Sequence, residues 1–315
     1  MSEADTVKEP AADRASGTSS EDSTAKSADA PPGSIPFEYS LHVAALQPTD
    51  EQRDTEKILL EKVENMDIWK EQGEQTEEKD SLFIKNRIRS DLQRILRARK
   101  FDVNKALKLC AVNLKYFFGD KPFLIEAENI EIEAKTGKTR VGGIDRHGRP
   151  VVVLDNSAEN TSDPVNQMRF LMFNMELSLA SMSPPVEKHV VFIHLENFSI
   201  FNAPSIAVTK KTIEILASNY CERLGHAVLW QPPAYFSVFL SAVSYVIDPI
   251  TRGKLCIIRG DYSENSENDI LMKYLIGDQW KAITGVDQPR YADNASPGYN
   301  HEVYWKNIVK DGKVL

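Results

Sequence analysis

The sequence has few cysteines, no long apolar run and no excess of positive charge, and each shortage excludes a class of protein. The three cysteines among 315 residues stand singly, without a CxxC pair, so neither a disulfide framework nor a zinc site is indicated. No stretch reaches the roughly 18 consecutive apolar residues of a membrane-spanning helix. The formal net charge of −8 argues against a nucleic-acid partner, because phosphate backbones favour a basic face.

The common catalytic and nucleotide-binding motifs are missing as well. Gly142 and Gly143 do not form a GxGxxG loop, and nothing matches GxxxxGK[ST], HExxH or GxSxG. The six histidines lack the i, i+4 spacing that places two metal ligands on one helix face. We therefore expect no metal, no cofactor and no enzymatic activity. One enzymatic alternative stays open, a thiol nucleophile at Cys221 with His226 as its base, although this spacing has no recognised mechanical meaning.

What the sequence does contain is the composition of an ordinary globular protein, with 42% hydrophobic and 27% charged residues. The first residues, MSEADTVKEPAADRASG, have neither the basic n-region nor the apolar h-region of a signal peptide. Together with the single thiols, this predicts a cytoplasmic protein. Residues 1–36 are rich in Ser, Ala, Asp, Glu and Pro and nearly free of large apolar side chains, which predicts a disordered tail.

Residues 37–122 carry the apolar spacing of helices. A capping signal at Thr49 begins a first helix, which is expected to end near Gly73. A stronger stripe starts at Ser81, and Asp102 caps a further helix. The apolar residues of these last two stripes are Ile84, Ile88, Leu92, Ile95, Leu96, Val103, Ala106, Leu107, Cys110 and Leu114. The pattern predicts a small all-helical N-terminal domain.

Residues 123–315 alternate between short apolar runs and helical stretches. The runs lie at Val151–Leu154, Val190–Leu195, Ala227–Trp230 and Leu255–Ile258, and the helical stretches lie near 165–182, 204–219, 235–247 and 267–276. Such alternation is typical of an α/β domain. Because the runs are continuous in apolar residues, a mostly parallel sheet covered by helices is favoured.

The stretch 235–247, YFSVFLSAVSYVI, is apolar around nearly its whole circumference. Such a helix needs a dry environment on every side. The pattern alone favours a buried core helix. The alternative is a lid that meets lipid on one side.

Five motifs, taken in order and spacing, resemble those of the Sec14-like (CRAL-TRIO) family. They are Ile95–Val103, Gly143–Val151, Tyr220–Gly225, Trp230–Pro233 and Asp248–Leu255, and an aromatic close at Asn300–Trp305 follows. The resemblance covers about residues 45–310. It implies an α/β CRAL-TRIO lipid-binding lobe, in which a mostly parallel sheet floors a hydrophobic cavity, preceded by the small all-helical lobe.

The resemblance also implies a headgroup site for phosphatidylinositol, formed by Arg99, Lys100, Glu222 and Lys254. Fixed cations suit a phosphodiester, and a carboxylate suits inositol hydroxyls. For each residue, a purely structural role stays open as the alternative. Arg99 and Lys100 are suited to the negative end of the preceding helix, and Glu222 with Lys254 to an ordinary ion pair.

The lid and cavity follow from the same resemblance. A lid at 234–247 is expected to open at a membrane, with hinges at the flanking prolines. The lid and cavity residues are Tyr235, Phe236, Phe239, Leu240, Val191 and Ile193. The chain departs from the family in its lid region, because Gly277–Gly285 lacks the Leu-Pro-x-x-x-Gly-Gly loop that often steadies the lid.

Other departures bear on the cargo. Cys221 stands where the family usually has Pro. In members that exchange phosphatidylcholine, small hydroxyl residues reach the choline phosphate, and His189 and Val191 occupy those places here. The resemblance to phosphatidylcholine carriers therefore does not extend to these two positions.

The resemblance implies a phosphatidylinositol-binding transfer protein that is peripherally associated with membranes. Its expected partners are phosphatidylinositol, a second lipid or sterol, a transient membrane surface and a lipid kinase to which the lipid is presented. Two other functions stay open, a carrier of sterol or another hydrophobe on the same fold, and a protein-interaction module that transfers no lipid.

Overall fold

The computed structural model describes residues 47–199, 205–310 and 313–314, and the predicted disordered tail at 1–36 lies outside them. The helices are α1 (Asp50–Glu64), α2 (Ile68–Glu71), α3 (Glu78–Ala98), α4 (Val103–Gly119), α5 (Ala127–Ala134), α6 (Pro164–Ala180), α7 (Ile206–Asn219), α8 (Phe236–Val243), α9 (Pro249–Arg252), α10 (Glu267–Leu275), α11 (Trp280–Thr284) and α12 (His301–Ile308). The strands are β1 (Thr139–Ile144), β2 (Pro150–Asp155), β3 (His189–His194), β4 (Leu224–Trp230), β5 (Leu255–Ile258), β6 (Val309–Lys310) and β7 (Lys313–Val314).

Short polar side chains cap the first turns of α1 and α4. Thr49 forms a capping box with Gln52 at α1, and Asp102 accepts a hydrogen bond from the Lys105 amide at α4. The first helix ends at Glu64, not near Gly73 as expected. Sequence spacing could not show this break, because α2 continues the sparse apolar pattern after a turn of three residues.

The predicted α/β fold is confirmed. Strands β1 to β5 form one sheet in sequence order, with β2 to β5 parallel and β1 antiparallel to β2. Strand β1 was not predicted, because Gly142 and Gly143 interrupt any apolar run. The glycines have a packing role, since a Cβ at Gly142 would lie 2.4 Å from the Ile283 carbonyl oxygen. Only glycine lets α11 pack so closely on this strand.

The two faces of the sheet differ in how completely they are covered. On β3 and β5 the side chains of one face, including Phe192 and Ile258, are buried against α10 and α11. The alternating residues on the other face are only partly buried, and Ile257 is 44% exposed. We call this second set the open face: Val191, Ile193, Leu255 and Ile257. A sheet with one closed and one open apolar face leaves room for an apolar ligand on the open side.

A buried ion cluster joins α3 to α6 and to the turn before β4. Asp91 accepts hydrogen bonds from Arg87 Nε at 3.1 Å and from Arg223 Nη2 at 3.2 Å, and it also pairs with Arg94. Glu176 accepts from Arg87 Nη1 at 3.1 Å and from the Tyr220 hydroxyl at 2.9 Å. We call these six residues the Asp91 cluster. It ties the helical segment to the start of β4.

Replacing Asp91 with Asn tests how much this cluster contributes to the free energy of unfolding. The change leaves the buried Arg94 and Arg223 without their shared carboxylate, so we expect a loss of about 3–5 kcal/mol in the free energy of unfolding, measured by urea denaturation. Asp54→Asn, which removes an exposed ion pair with Lys57 on α1, is the matched control and is expected to leave stability unchanged. An Asp91→Asn protein as stable as wild type would contradict the assignment.

His189, the first residue of β3, is buried and neutral. Its Nδ1 lies 3.1 Å from Ser178 Oγ. Burial, and secondly the charge of Arg223, lowers the pKa of His189 from its ordinary 6.5 to about 3. Between these two values the unfolded chain binds a proton that the folded protein does not, so stability falls as pH falls through this window.

The pH dependence of unfolding tests this burial. From pH 7 to pH 5 the wild type is expected to lose about 2 kcal/mol through His189 alone, at about 1.4 kcal/mol per pH unit below 6.5. His189→Gln removes the titrating group, so its unfolding free energy is expected to fall less over the same interval. Parallel curves for the two proteins, measured by urea denaturation at each pH, would show that His189 is not the group responsible.

Candidate functional site

Three charged residues lie just before the amino ends of neighbouring parallel strands. Lys188 directly precedes β3, Glu222 stands two residues before β4, and Lys254 directly precedes β5. We call this region the amino edge of the sheet. Because parallel strands run in the same direction, residues before each strand collect at one edge. Two of the four residues predicted for the headgroup site, Glu222 and Lys254, therefore lie at this edge.

Lys254 is a buried cation, with only 3% of the residue exposed. Its backbone is fixed, since its amide donates to the Thr251 carbonyl at 3.0 Å and its carbonyl accepts from the Ala227 amide at 2.9 Å. Asp248 caps α9 and accepts from the Ile250 and Thr251 amides at 2.9 and 3.0 Å, which shapes the turn. Among the described residues, no side chain forms a hydrogen bond or ion pair with the Lys254 ammonium. The charge of Asp248 interacts with that of Lys254 without direct contact, and a buried ammonium that lacks a direct partner is suited to an anionic ligand.

Glu222 occupies a strained turn that its neighbours hold in place. Its φ of 59° lies in the left-handed region, which costs a non-glycine residue about 1–2 kcal/mol. On either side, Tyr220 and Arg223 are anchored in the Asp91 cluster, and Arg223 also donates to the Glu187 carbonyl at 3.0 Å. The carboxylate itself is half-buried, and the ordinary ion pair with Lys254 considered from the sequence is absent between these two described side chains.

Arg99 and Lys100 lie at the end of α3. An ion pair of 2.6 Å between Arg97 and Glu187 holds this helix end next to the segment leading into β3. Arg99 is half-buried and its Nη1 donates to the Ala98 carbonyl at 3.1 Å, so it does stabilise the helix end. Lys100 is exposed, with a φ of 52°.

The electrostatics of Cys221 connect Arg99 to the turn of Glu222. Burial raises the pKa of the Cys221 thiol, and the positive charges of Arg94 and Arg99 oppose that rise. Arg99 thus acts on the residue next to Glu222. A raised thiol pKa reduces the thiolate fraction at neutral pH, which argues against the nucleophile considered at Cys221.

Lys188 was missed by the sequence reasoning. Burial, and secondly the positive charge of Lys254, lowers the pKa of Lys188, whereas the charge of Glu222 opposes the shift. The three side chains therefore act on one another electrostatically. The available signal was positional, since Lys188 stands before an apolar run just as Lys254 does.

Helix α8 packs beside one end of the open face, next to Ile193, and the interpretation of a buried core helix is wrong. Phe236 packs with Phe198 and Leu195, while Phe239 and Leu240 pack partly against the same cluster. The outer side is exposed instead, with Val238 at 72% and Tyr235 at 51%. The following single turn, Ser244–Val246, carries Tyr245, whose ring lies 4.2 Å from the Lys210 ammonium of α7. An apolar pattern all round a helix cannot separate packing against the protein from packing against lipid.

In the part of the chain that the structure describes, no group of three or more His, Cys, Asp or Glu side chains is arranged to hold a metal ion. None of the described helices combines the length and the apolar character needed to cross a bilayer.

Comparison with known proteins matches the CRAL/TRIO domain model to residues 134–278. A CRAL-TRIO domain-containing protein of Schizosaccharomyces pombe is 31% identical over 224 residues, covering 70% of this chain and 20% of that protein. The phosphatidylinositol transfer protein PDR17 of Saccharomyces cerevisiae is 26% identical over 235 residues, covering 69% of this chain and 61% of that protein. The chain thus spans less than two thirds of either relative.

The fold has a counterpart among solved structures. The crystal structure of Sfh5 superposes with a TM-score of 0.55 over 85% of this chain and 95% of that chain, at 15% sequence identity. Motif order, sheet topology and these matches agree. The chain belongs to the Sec14-like (CRAL-TRIO) family.

Proposed function

We propose that the protein binds phosphatidylinositol, with its headgroup at the amino edge and its acyl chains over the open face, and exchanges or presents it at cytosolic membrane surfaces. The observation that carries the proposal is Lys254, a buried cation without a side-chain partner among the described residues. The half-buried Glu222 offers its carboxylate nearby to inositol hydroxyls. The name of PDR17, a phosphatidylinositol transfer protein, supports the same cargo.

Affinity and selectivity come from different parts of the proposed site. Each buried methylene contributes about 0.8 kcal/mol, so two acyl chains over Val191, Ile193 and Ile257 supply most of the binding free energy. Charge-assisted hydrogen bonds from Lys254 to a phosphate select the headgroup. Arg99 and Lys100, at the end of α3, extend the positive side of this site. No catalytic group and no cofactor enter this proposal.

Phosphatidylcholine fits the chain less well. His189 is neutral because its pKa is lowered to about 3, and its ring already contacts Ser178. Val191 offers no polar atom. His189 therefore brings no positive charge to a choline phosphate, and the Val191 side chain brings no donor in place of a small hydroxyl residue.

A sterol or another uncharged hydrophobe is the second candidate cargo. The apolar open face favours it, because Val191 and Ile257 bind hydrocarbon without a headgroup contact. This cargo leaves Lys254 uncompensated, which is why we rank it below phosphatidylinositol.

Vesicle-to-vesicle transfer tests the headgroup site. The double variant Glu222→Ala, Lys254→Ala is expected to lose phosphatidylinositol transfer by at least about tenfold, since a hydrogen bond to a charged group contributes about 1.5–3 kcal/mol. The matched control, Glu302→Ala, Lys306→Ala, removes an exposed carboxylate and ammonium from α12 and is expected to transfer normally. Labelled phosphatidylcholine and sterol are run in parallel, and stability is measured for every variant.

Three results bear on the proposal. Selective loss of phosphatidylinositol transfer in the site variant supports it. Wild-type protein that transfers sterol but no phosphatidylinositol would replace it with the sterol carrier. Phosphatidylinositol transfer that is equal in the site variant and wild type would remove the headgroup from the amino edge.

The outer side of α8 provides a test of the lid. Val238→Asp places a charge on the exposed side that is proposed to enter the membrane, so transfer is expected to slow by at least about tenfold while the free energy of unfolding stays unchanged. Val303→Asp, on an exposed apolar position of α12, is the matched control. If Val238→Asp transferred lipid as fast as the control Val303→Asp and the wild type, this face of α8 would be excluded as the membrane contact.

A further inference from the structure

We propose that Lys188 is a further headgroup residue, which clamps a phosphate group of an inositol lipid jointly with Lys254. The inference rests on the proposed function and deepens it, because it adds a specificity-determining residue to the same site. The ligand chemistry it selects is a phosphate, either the phosphodiester of every inositol phospholipid or a phosphomonoester on the inositol ring.

The position of Lys188 supports the clamp. Lys188 and Lys254 directly precede β3 and β5, and β4 lies between these two strands. The register places Lys254 level with His226 and Val190, so Lys188 lies two residues further out along its strand. Two strand spacings and two residues together amount to about 12 Å, a gap that two flexible four-carbon side chains can reach into. The two ammonium groups therefore approach the same space at the amino edge, next to Glu222.

The second observation that supports the clamp is that, among the described residues, both ammonium groups lack a direct partner. Lys188 is half-buried and Lys254 is buried, and within the described residues neither ammonium has a hydrogen-bond or ion-pair partner. Each positive charge raises the free energy of the other, and burial and Lys254 both lower the pKa of Lys188. A phosphate between them compensates both charges at once.

Another buried lysine of this chain shows how a positive charge is compensated when its role is structural. Lys138 is 5% exposed, and its ammonium donates to Glu133 at 2.5 Å, to Glu159 at 2.5 Å and to Thr161 at 2.9 Å. Three internal acceptors surround that single ammonium. Lys188 and Lys254 differ from it in having none among the described residues, as expected of groups that meet an external anion.

The charge balance of the edge indicates an anionic headgroup. The Arg97 and Glu187 charges neutralise each other at 2.6 Å, and Arg223 is paired with Asp91. Lys188, Lys254 and Arg99 then stand against two carboxylates, those of Glu222 and of Asp248, whose charge interacts with that of Lys254. A phosphodiester, with one negative charge, offsets the remaining positive charge, and a ring phosphomonoester adds about −1.5 to −2 at neutral pH.

The test compares three variants of the full chain: Lys188→Met, Lys188→Arg and, as matched control, Lys108→Met at an exposed lysine of α4. Binding is measured with phosphatidylcholine vesicles that contain labelled phosphatidylinositol, labelled phosphatidylinositol 4-phosphate or labelled sterol. Lys188→Met is expected to weaken binding of an inositol lipid by at least about tenfold. Lys188→Arg keeps the charge and is expected to retain most binding, and Lys108→Met to bind as wild type.

The two inositol lipids distinguish the source of the phosphate. Weakening with both lipids assigns the clamp to the phosphodiester, and weakening with phosphatidylinositol 4-phosphate alone assigns it to the ring phosphate. Sterol uptake is expected to stay unchanged in either case, because Lys188 does not belong to the open face. Loss of sterol uptake in Lys188→Met would instead indicate structural damage and overturn the clamp.

Proton uptake gives a readout that a structural role would not produce. A phosphate beside Lys188 raises its lowered pKa, so wild-type protein is expected to take up protons on binding at pH values below the ordinary lysine pKa of 10.5, measured across a pH series by titration calorimetry in buffers of different ionisation enthalpy. The uptake is expected to shrink in Lys188→Met.

The failures of the two proposals are separable. Lys188→Met binding both inositol lipids as wild type, while Glu222→Ala, Lys254→Ala binds neither, would overturn the clamp and leave the headgroup site standing. Normal binding by all of these variants would overturn both.

Discussion

The carboxylate of Asp91 is the contact on which the arrangement of the site depends. It lies among Arg87, Arg94 and Arg223, and through them it joins α3 to the turn that enters β4. Because Glu222 immediately precedes Arg223, the same contact that ties the segments together also holds Glu222 in its left-handed turn. A buried carboxylate shared by several guanidiniums is stable only when all partners are present, so the headgroup residues and the packing of the helical segment are coupled.

The two faces of the sheet differ in how completely the chain covers them. One face is sealed by α10 and α11 around Trp230 and Trp280, which makes it an ordinary core. The other face keeps Ile257 substantially exposed, and α8, which packs beside it at Ile193, itself exposes Val238. An apolar surface that is incompletely covered by its own chain is energetically unfavourable in water. In the proposed function, hydrocarbon over the open face relieves that cost, and the charged residues at the amino edge select the lipid.

Much of the fold was predictable from the sequence, because buried parallel strands read as continuous apolar runs, and the motif order identified the family. What pattern reasoning missed has physical reasons. Gly142 and Gly143 interrupt the apolar run of β1, so the apolar pattern does not reveal this strand. Because these two residues have no side chain, Ile283 can pack closely against the strand. The circumference of α8 is apolar on both its inward and its outward side, so the pattern favoured a core helix. Lys188 carries no local motif, and only the assembly of three strand ends brings it beside Lys254. The four headgroup residues came from resemblance, and their role stays a prediction.

The central claim is that the amino edge of the sheet receives an inositol phosphate headgroup. A crystal structure of the protein loaded with phosphatidylinositol tests it most directly. We expect a phosphate oxygen within about 2.7–3.2 Å of Lys254 Nζ, an inositol hydroxyl donating to Glu222, and acyl chains against Val191 and Ile193 beside α8. A headgroup bound elsewhere, with Lys254 still lacking an anionic partner, would contradict it.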